Sequence, residues 1–525
     1  MRAALVAVLG GGVAASPPNI LLLFPDQWRF DWDGFHPELR IPLSLPNIAA
    51  IAANGTRFEH AYVAAPICAP SRGCLASGRE YDRANLPTNF DHDYDLSIPT
   101  FFSALRDAGY HTMVSGKDDL DKATQLGTRL PGRSGNWSGL YHQSELGFSD
   151  GLRSSGKDDV VDLPQPHELY GHWLSERTVT LRDGSTLSGW EAHRACMKRP
   201  ETCTTEMFPD RLYEDNWVAE NALTLLRRRP EAAPWFLWVS FPGPHPPFLV
   251  TTAMEQSVRG RTFPAAVDNP ASAAEKCVPS DHPDSSVSDR CLYASEMENL
   301  DRLFGSLWDE VRAQGDEGNT LLCFASDHGE MLSDHGDKGK TMPWQGSASV
   351  PLMCTGPGTA RGHVVSRPVA QIDLSATFLD FAGAARPEGM TAESLRPFLE
   401  GGTGEADAGN GRDSYRAFVS SGLQSFPFNQ TFDEALAAAA APREGGAHYS
   451  WRMVVEADTG LKFVCCRGAC PGAPSNAPPV DAHGFTQILY DTVADPFDTV
   501  PISDRPEAVA RLREQLPESF GCGQA

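Results

Sequence analysis

The chain of 525 residues is long enough to bury a large core and to form two packed units. Its 41% apolar content is that of an ordinary globular protein. With 44 basic against 68 acidic side chains the formal charge is -24, which argues against nucleic acid as a partner. Any anion-binding pocket would need its own cluster of Arg and Lys.

Residues 1–15 read as Met-Arg, an apolar run, and the small residues Val13, Ala14 and Ala15 before Ser16-Pro17. This is the pattern of a short secretory signal, with a plain flexible N-terminus as the competing reading. The run is too short to span a bilayer, and so is every later one, so no transmembrane segment is expected. The sequons at Asn54, Asn136 and Asn429 are compatible with a secreted glycoprotein. Among the 12 cysteines, Cys196 with Cys203 and Cys277 with Cys291 suggest short disulfide loops. Cys465, Cys466, Cys470 and Cys522 offer further bridges of open connectivity. Cys323 and Cys354, in apolar runs, are expected as buried thiols. None has zinc-site spacing.

In chain order, the apolar run Asn19 to Phe24 predicts a buried parallel strand ending at Pro25-Asp26. Leu45 to Ala53, Ile98 to Ala108 and Arg211 to Arg228 carry helical patterns. His111 to Lys117 reads as a short strand running into a loop, and Trp235 to Ser240 as another buried strand. Cys291 to Gln314 predicts a long amphipathic helix, followed by the strand Thr320 to Ala325. Residues 121–210, rich in Gly, Ser and charge with weak periodicity, are expected to be long loops shaping a substrate site. The alternation predicts an α/β sandwich around a mostly parallel sheet, whose ligands bind beyond the carboxyl ends of strands. Asp26, Lys117, Pro244-His245 and Asp327-His328 all directly follow predicted strands. Gly401 to Gly411 marks a boundary. Beyond it, Trp451 to Val455, Lys462 to Cys465 and Gln487 to Asp491 suggest a small antiparallel sheet, with a helix near Glu507 to Gln515. The expected division is a catalytic unit over 16–400 and a smaller α+β unit over 413–525.

The segment Cys68-Ala69-Pro70-Ser71-Arg72 carries the most chemistry. Pro70 suits a helix's first turn and Gly78 its end, so Cys68 would stand at a helix N-terminus, which favours an anion. Arg72, one turn on, adds a planar charge matched to sulfate or phosphate oxygens. A structural cysteine before an ordinary helix is the bland alternative. Asp26, Gln27 and Asp327 offer hard oxygens suited to calcium or magnesium, and His328 adds a nitrogen that keeps manganese or zinc in play. Singly, Asp26 and Asp327 would be loop or cap residues; their shared position at strand ends favours a site.

The Cys68 to Arg72 segment resembles the Cys-x-Pro-Ser-Arg signature of the sulfatase family. Asp26-Gln27, Asp327-His328-Gly329-Glu330, Asp334-His335-Gly336, Lys340, Gln371-Ile-Asp373 and Leu489-Tyr-Asp491 resemble further family segments in order. The resemblance implies an alkaline-phosphatase-like sandwich and hydrolysis of sulfate monoesters of carbohydrates or aryl compounds. It implies that a formylglycine-generating enzyme oxidises Cys68 to an aldehyde. One hydroxyl of its hydrate attacks sulfur and displaces the alcohol; the second then expels sulfate and regenerates the aldehyde. The implied metal ligands are Asp26, Gln27, Cys68, Asp327 and His328, holding one divalent cation, usually calcium. Arg72, Lys117 and Lys340 match positions contacting the sulfate or the hydrate, and His245 matches the histidine near the leaving group. Asp119 stands where most members have histidine; the arylsulfatase K branch, which acts on sulfated uronic acids, shares this aspartate. The signal-like N-terminus, with the sequons and cysteines, leads to an expected secretory, extracellular or lysosome-like location. Two alternatives remain: a phosphonate monoester or phosphodiester hydrolase of the same superfamily, suggested by Asp26-Gln27-Trp28-Arg29, and a non-catalytic sulfated-glycan-binding protein with unmodified Cys68.

Overall fold

The computed structural model describes residues 16–89, 92–125, 142–161, 165–181, 183–198, 207, 209–278, 288–404, 415–424, 450–473 and 476–522. The secretory-signal reading of residues 1–15 and the sequons at Asn136 and Asn429 lie outside them. Asn54 is exposed at the end of the helix Pro46–Asn54. Among the described residues, no helix is long and apolar enough to cross a membrane.

The uninterrupted apolar run Asn19–Pro25 forms the centre of a nine-stranded sheet, flanked in parallel by Thr320–Ala325 and Trp235–Phe241. His111–Gly116 pairs in parallel with Trp235–Phe241, and Asp150–Arg153 adds the edge. On the other side, Ser349–Thr355 runs antiparallel to both Thr320–Ala325 and Thr56–Tyr62. His363–Val365 and Val369–Ala370 then pair in parallel with Thr56–Tyr62. The sheet is mixed but mostly parallel, as expected.

Strand periodicity divides the central residues between two cores. Leu21, Leu23, Leu237, Val239 and Phe324 face the helices Pro46–Asn54, Glu214–Arg228 and Asp289–Ala313. Ile20, Leu22, Phe236, Trp238 and Leu321 face the helices Cys68–Ser77, Phe101–Asp107 and Asp373–Ala382. Burial on both faces explains why these strands read as continuous apolar runs.

A second, four-stranded antiparallel sheet takes the order Phe418–Gln424, Ser450–Glu456, Leu461–Arg467, Phe485–Asp491. Val454, Phe463 and Leu489 on one face pack with Ala508 and Leu512 of the helix Pro506–Arg513. Met453, Val455, Val464 and Ile488 on the other pack against Met331, Trp344 and Ile372 of the larger unit.

Two expectations fail. Residues 121–210 are not all loop: they contain the strand Asp150–Arg153, the helices Leu169–Ser175 and Gly189–Lys198, and a hairpin of Thr178–Thr180 with Thr186–Ser188. These elements are too short to build a clear period, yet Tyr170, Leu174, Trp190 and Ala192 on them reach the core. Cys323 and Cys354 are not thiols but a disulfide, because antiparallel register sets them directly opposite. Cys277–Cys291 pairs as expected, and the C-terminal cysteines pair as Cys465–Cys522 and Cys466–Cys470. Cys196 is also disulfide-bonded, and Cys203 lies outside the described residues. Among the described residues, Cys68 and Cys74 are the free cysteines, both buried.

Candidate active site

Four adjacent strands deliver the site. Taken across the sheet, Thr320–Ala325, Asn19–Pro25, Trp235–Phe241 and His111–Gly116 end in Asp327-His328, Asp26-Gln27, Pro244-His245 and Lys117. Because all four run parallel, their carboxyl ends lie along one edge. Gly116 makes the last exit possible: its φ is 92°, and a Cβ there would lie 2.1 Å from the Ser240 carbonyl oxygen.

Cys68 is the first residue of the helix Cys68–Ser77, which Ile67 precedes in extended conformation and Gly78 closes at φ 61°. The whole helix is buried. Ser71 Oγ donates to the Asp327 carbonyl at 2.5 Å, pinning the helix to the neighbouring strand end.

Around Cys68 Sγ stand Lys340 Nζ at 2.9 Å, His328 Nε2 at 3.4 Å, Lys117 Nζ at 3.9 Å and Asp26 Oδ1 at 3.9 Å. Lys117 Nζ also pairs with Asp26 Oδ2 at 2.6 Å. Burial and Asp26 push the Cys68 thiol up, but Lys117, Lys340 and His328 outweigh them and hold it well below its ordinary value. Burial opposes charge on Asp26 as well, yet Lys117, His245, Lys340 and Arg72 hold its carboxyl well below the usual range. Despite the net charge of -24, the field at residue 68 therefore favours an anion.

Asp26, Cys68, Asp327 and His328 offer ligand atoms that all lie within 4.8 Å of one another. His328 Nε2 is 3.5 Å from both Asp26 Oδ1 and Asp327 Oδ2. Burial, with Asp26 beside it, raises the Asp327 carboxyl against the pull of Arg72 and His328. Two buried carboxylates and an imidazole converging on one point fit a divalent cation: the oxygens suit calcium or magnesium and the nitrogen admits manganese or zinc. Gln27, at φ 71°, donates its backbone N–H to Asp327 Oδ1 at 2.9 Å. Its side-chain oxygen accepts from Lys340 Nζ at 3.0 Å, and its amide nitrogen donates to Glu330. The oxygen keeps a second lone pair for a metal.

The other expected residues take varied positions. Arg72 is fully buried and points at the carboxylates: Nε donates to Asp327 at 2.9 Å and Nη2 to Asp26 at 3.1 Å. Its Nη1 donates to the Lys117 carbonyl and to Ser240 Oγ. Asp119, at φ 55°, lies 3.4 Å from Lys117 Nζ and 3.2 Å from Lys122 Nζ, and meets the centre through Lys117. His245 is half-buried, and its Nδ1 bonds the Pro246 carbonyl. A carbonyl only accepts, so Nδ1 carries a proton, and Nε2 takes no part in that bond. His335 bonds the Phe497 carbonyl at 2.9 Å and serves packing. Arg29 is locked by Asp31 and Asp334 and supplies no pocket cation.

Sequence reasoning assigned no role to Glu330 or Lys157. Glu330 accepts from Gln27, from Leu332 N at 3.0 Å and from Gly339 N at 2.5 Å, and so sets the loop that presents Lys340. Its place three residues after Asp327 was the available signal. Lys157 had none.

The sulfatase family model matches residues 18–384. An arylsulfatase of Clostridium perfringens is 26% identical over 404 residues, spanning 73% of this chain and 78% of that protein. Arylsulfatase K of Homo sapiens is 24% identical over 392 residues, 73% of this chain and 66% of that protein. Among solved structures, a phosphonate monoester hydrolase of Agrobacterium radiobacter superposes with a TM-score of 0.65 at 21% identity, covering 96% of this chain and 95% of that one. That likeness shows the alkaline-phosphatase-like fold, and the family match covers well over half the sequence. The chain belongs to the sulfatase family.

Proposed function

We propose that the protein hydrolyses sulfate monoesters through a formylglycine made from Cys68, with a divalent cation held by Asp26, Gln27, Asp327 and His328. The observation that carries this reading is the convergence of Lys340, Lys117 and His328 on Cys68 Sγ at 2.9, 3.9 and 3.4 Å. The cysteine is unmodified here, and its sulfur stands in for the hydroxyl oxygens of an aldehyde hydrate. Bound cation and hydrate would supply charge neutralisation at the sulfate, a nucleophilic hydroxyl, and a second hydroxyl to release the sulfated intermediate.

The chain's own residues serve the rest. Lys117 and Lys340 hold positive charge where sulfate oxygens gather charge. Arg72 fixes the two carboxylates in place. His245 serves as the imidazolium: with Nδ1–H held by the Pro246 carbonyl, it gives its Nε2 proton to the leaving alkoxide and is left neutral. The disulfides and the secretory-signal reading support maturation in an oxidising compartment, where the modifying enzyme would meet the chain.

The test begins with mass spectrometry of the tryptic peptide Phe58 to Arg72 from protein made in its native source. Aldehyde in place of thiol at residue 68 is expected. Turnover of aryl and sugar sulfates should then exceed turnover of phosphodiesters and phosphonate monoesters, with calcium or manganese supplied. An intact thiol would overturn the mechanism, and a preference for phosphorus esters would overturn the substrate class.

A further inference from the structure

His245 sits on an irregular loop, Pro242 to Pro247, and a buried ion pair behind that loop fixes its height. Lys157 Nζ donates to the His245 carbonyl at 2.8 Å and to Glu296 Oε2 at 2.6 Å. The Lys157 side chain is 2% exposed and that of Glu296 0%. Glu296 projects from the helix Asp289–Ala313, so the lysine couples that helix to the loop. The same loop is gripped at Gly243, whose N–H donates to Asp215 Oδ1 at 2.8 Å and whose carbonyl accepts from Asp26 N at 3.1 Å.

Stability alone is a poor account of this arrangement. Burying an ammonium and a carboxylate costs desolvation that their attraction does not reliably recover, and a well-packed apolar pair often does as well. What an apolar pair cannot do is donate to the carbonyl of His245. Lys157 makes both bonds at once, and its backbone carbonyl is itself bonded to His193 Nε2 at 2.7 Å. The lysine therefore has little freedom, and the carbonyl it holds belongs to the residue that carries the imidazole.

We infer that Lys157, backed by Glu296, is a positioning residue for His245: it holds the imidazole at the place from which Nε2 protonates the leaving oxygen. The inference rests on the proposed role of His245. It adds two residues that make no contact with Cys68 or the metal ligands among their described partners.

The test uses the matured, metal-loaded enzyme and a pair of sulfate esters: 4-nitrophenyl sulfate, whose leaving group needs no proton, and an alkyl sulfate, whose leaving group does. His245→Ala should slow the alkyl ester about 100-fold more than the aryl ester. Lys157→Met should show the same bias at about tenfold or more, in kcat with KM little changed, and Lys157→Arg should restore much of the loss. Glu296→Gln, which keeps the Lys157 bond to His245 available, gives a smaller bias of the same sign and serves if Lys157→Met does not fold. Equal losses on both esters in Lys157→Met and Glu296→Gln would reduce the pair to scaffolding and overturn the inference alone. An unbiased His245→Ala would overturn it together with the reading of His245 as the acid.

Discussion

Arg72 Nε donates to Asp327 Oδ2 at 2.9 Å, and both side chains are wholly buried. The same guanidinium reaches Asp26, so one planar cation spans the two carboxylates that would grip a divalent ion. Their mutual repulsion is held in check before any metal arrives, and their oxygens are aimed. On the proposed function the signature arginine would act through the metal ligands, while Lys117 and Lys340, 3.9 and 2.9 Å from Cys68 Sγ, would face the reacting position.

Arg72→Lys should consequently cost metal affinity ahead of substrate affinity. An ammonium cannot donate in the fork that meets Asp26, Asp327 and Ser240 together. Metal titration followed by calorimetry or elemental analysis is expected to show binding weakened about 10- to 100-fold. Metal affinity equal to that of the parent, with KM alone raised, would favour direct contact of Arg72 with the sulfate or the hydrate.

Glu168 gives a pH signature of stability. It caps the helix Leu169–Ser175, accepting from Tyr170 N at 3.1 Å and from Gly171 N, and burial pushes its carboxyl up to about 7 against those bonds. Between the ordinary glutamate value and 7, the unfolded chain has released this proton while the folded chain keeps it. Stability from this group is therefore full at low pH, falls as pH rises through that window, and is flat above it. The loss amounts to about 3 kcal/mol. Chemical denaturation from pH 4 to 8 should show Glu168→Gln with a flatter profile than the parent; parallel profiles would refute the assignment.

The Cys323–Cys354 bridge closes a segment with a sequence separation of 31 between strands at the heart of the sheet. By the loop-entropy relation such a closure is worth about 4 kcal/mol. A Cys323→Ala/Cys354→Ala double variant should unfold at lower denaturant by an amount of that order, and non-reducing peptide mapping should recover the linked peptides from the parent. Because both sulfurs are buried, thiol reagents are expected to leave the native bridge untouched until the chain unfolds. Labelling of native protein at either position would contradict the pairing.

The sequence by itself determined which segments become the buried strands and which residues leave their carboxyl ends. Asn19–Pro25, Trp235–Phe241 and Thr320–Ala325 are short and almost wholly apolar, a pattern that fits strands buried on both faces. It also determined the helix beginning at Cys68, through Pro70 in its first turn and Gly78 at its end. Tertiary structure alone decided what meets across the sheet. Strand order makes four strand ends neighbours, and antiparallel register turns Cys323 and Cys354 from separate apolar positions into one bridge. It also directs Arg72 to Asp26 and Asp327, and brings Lys157, 88 positions away, beneath the His245 carbonyl. Local periodicity reports the environment of a face; partnership between distant side chains depends on how strands are ordered and registered, and no local pattern carries that.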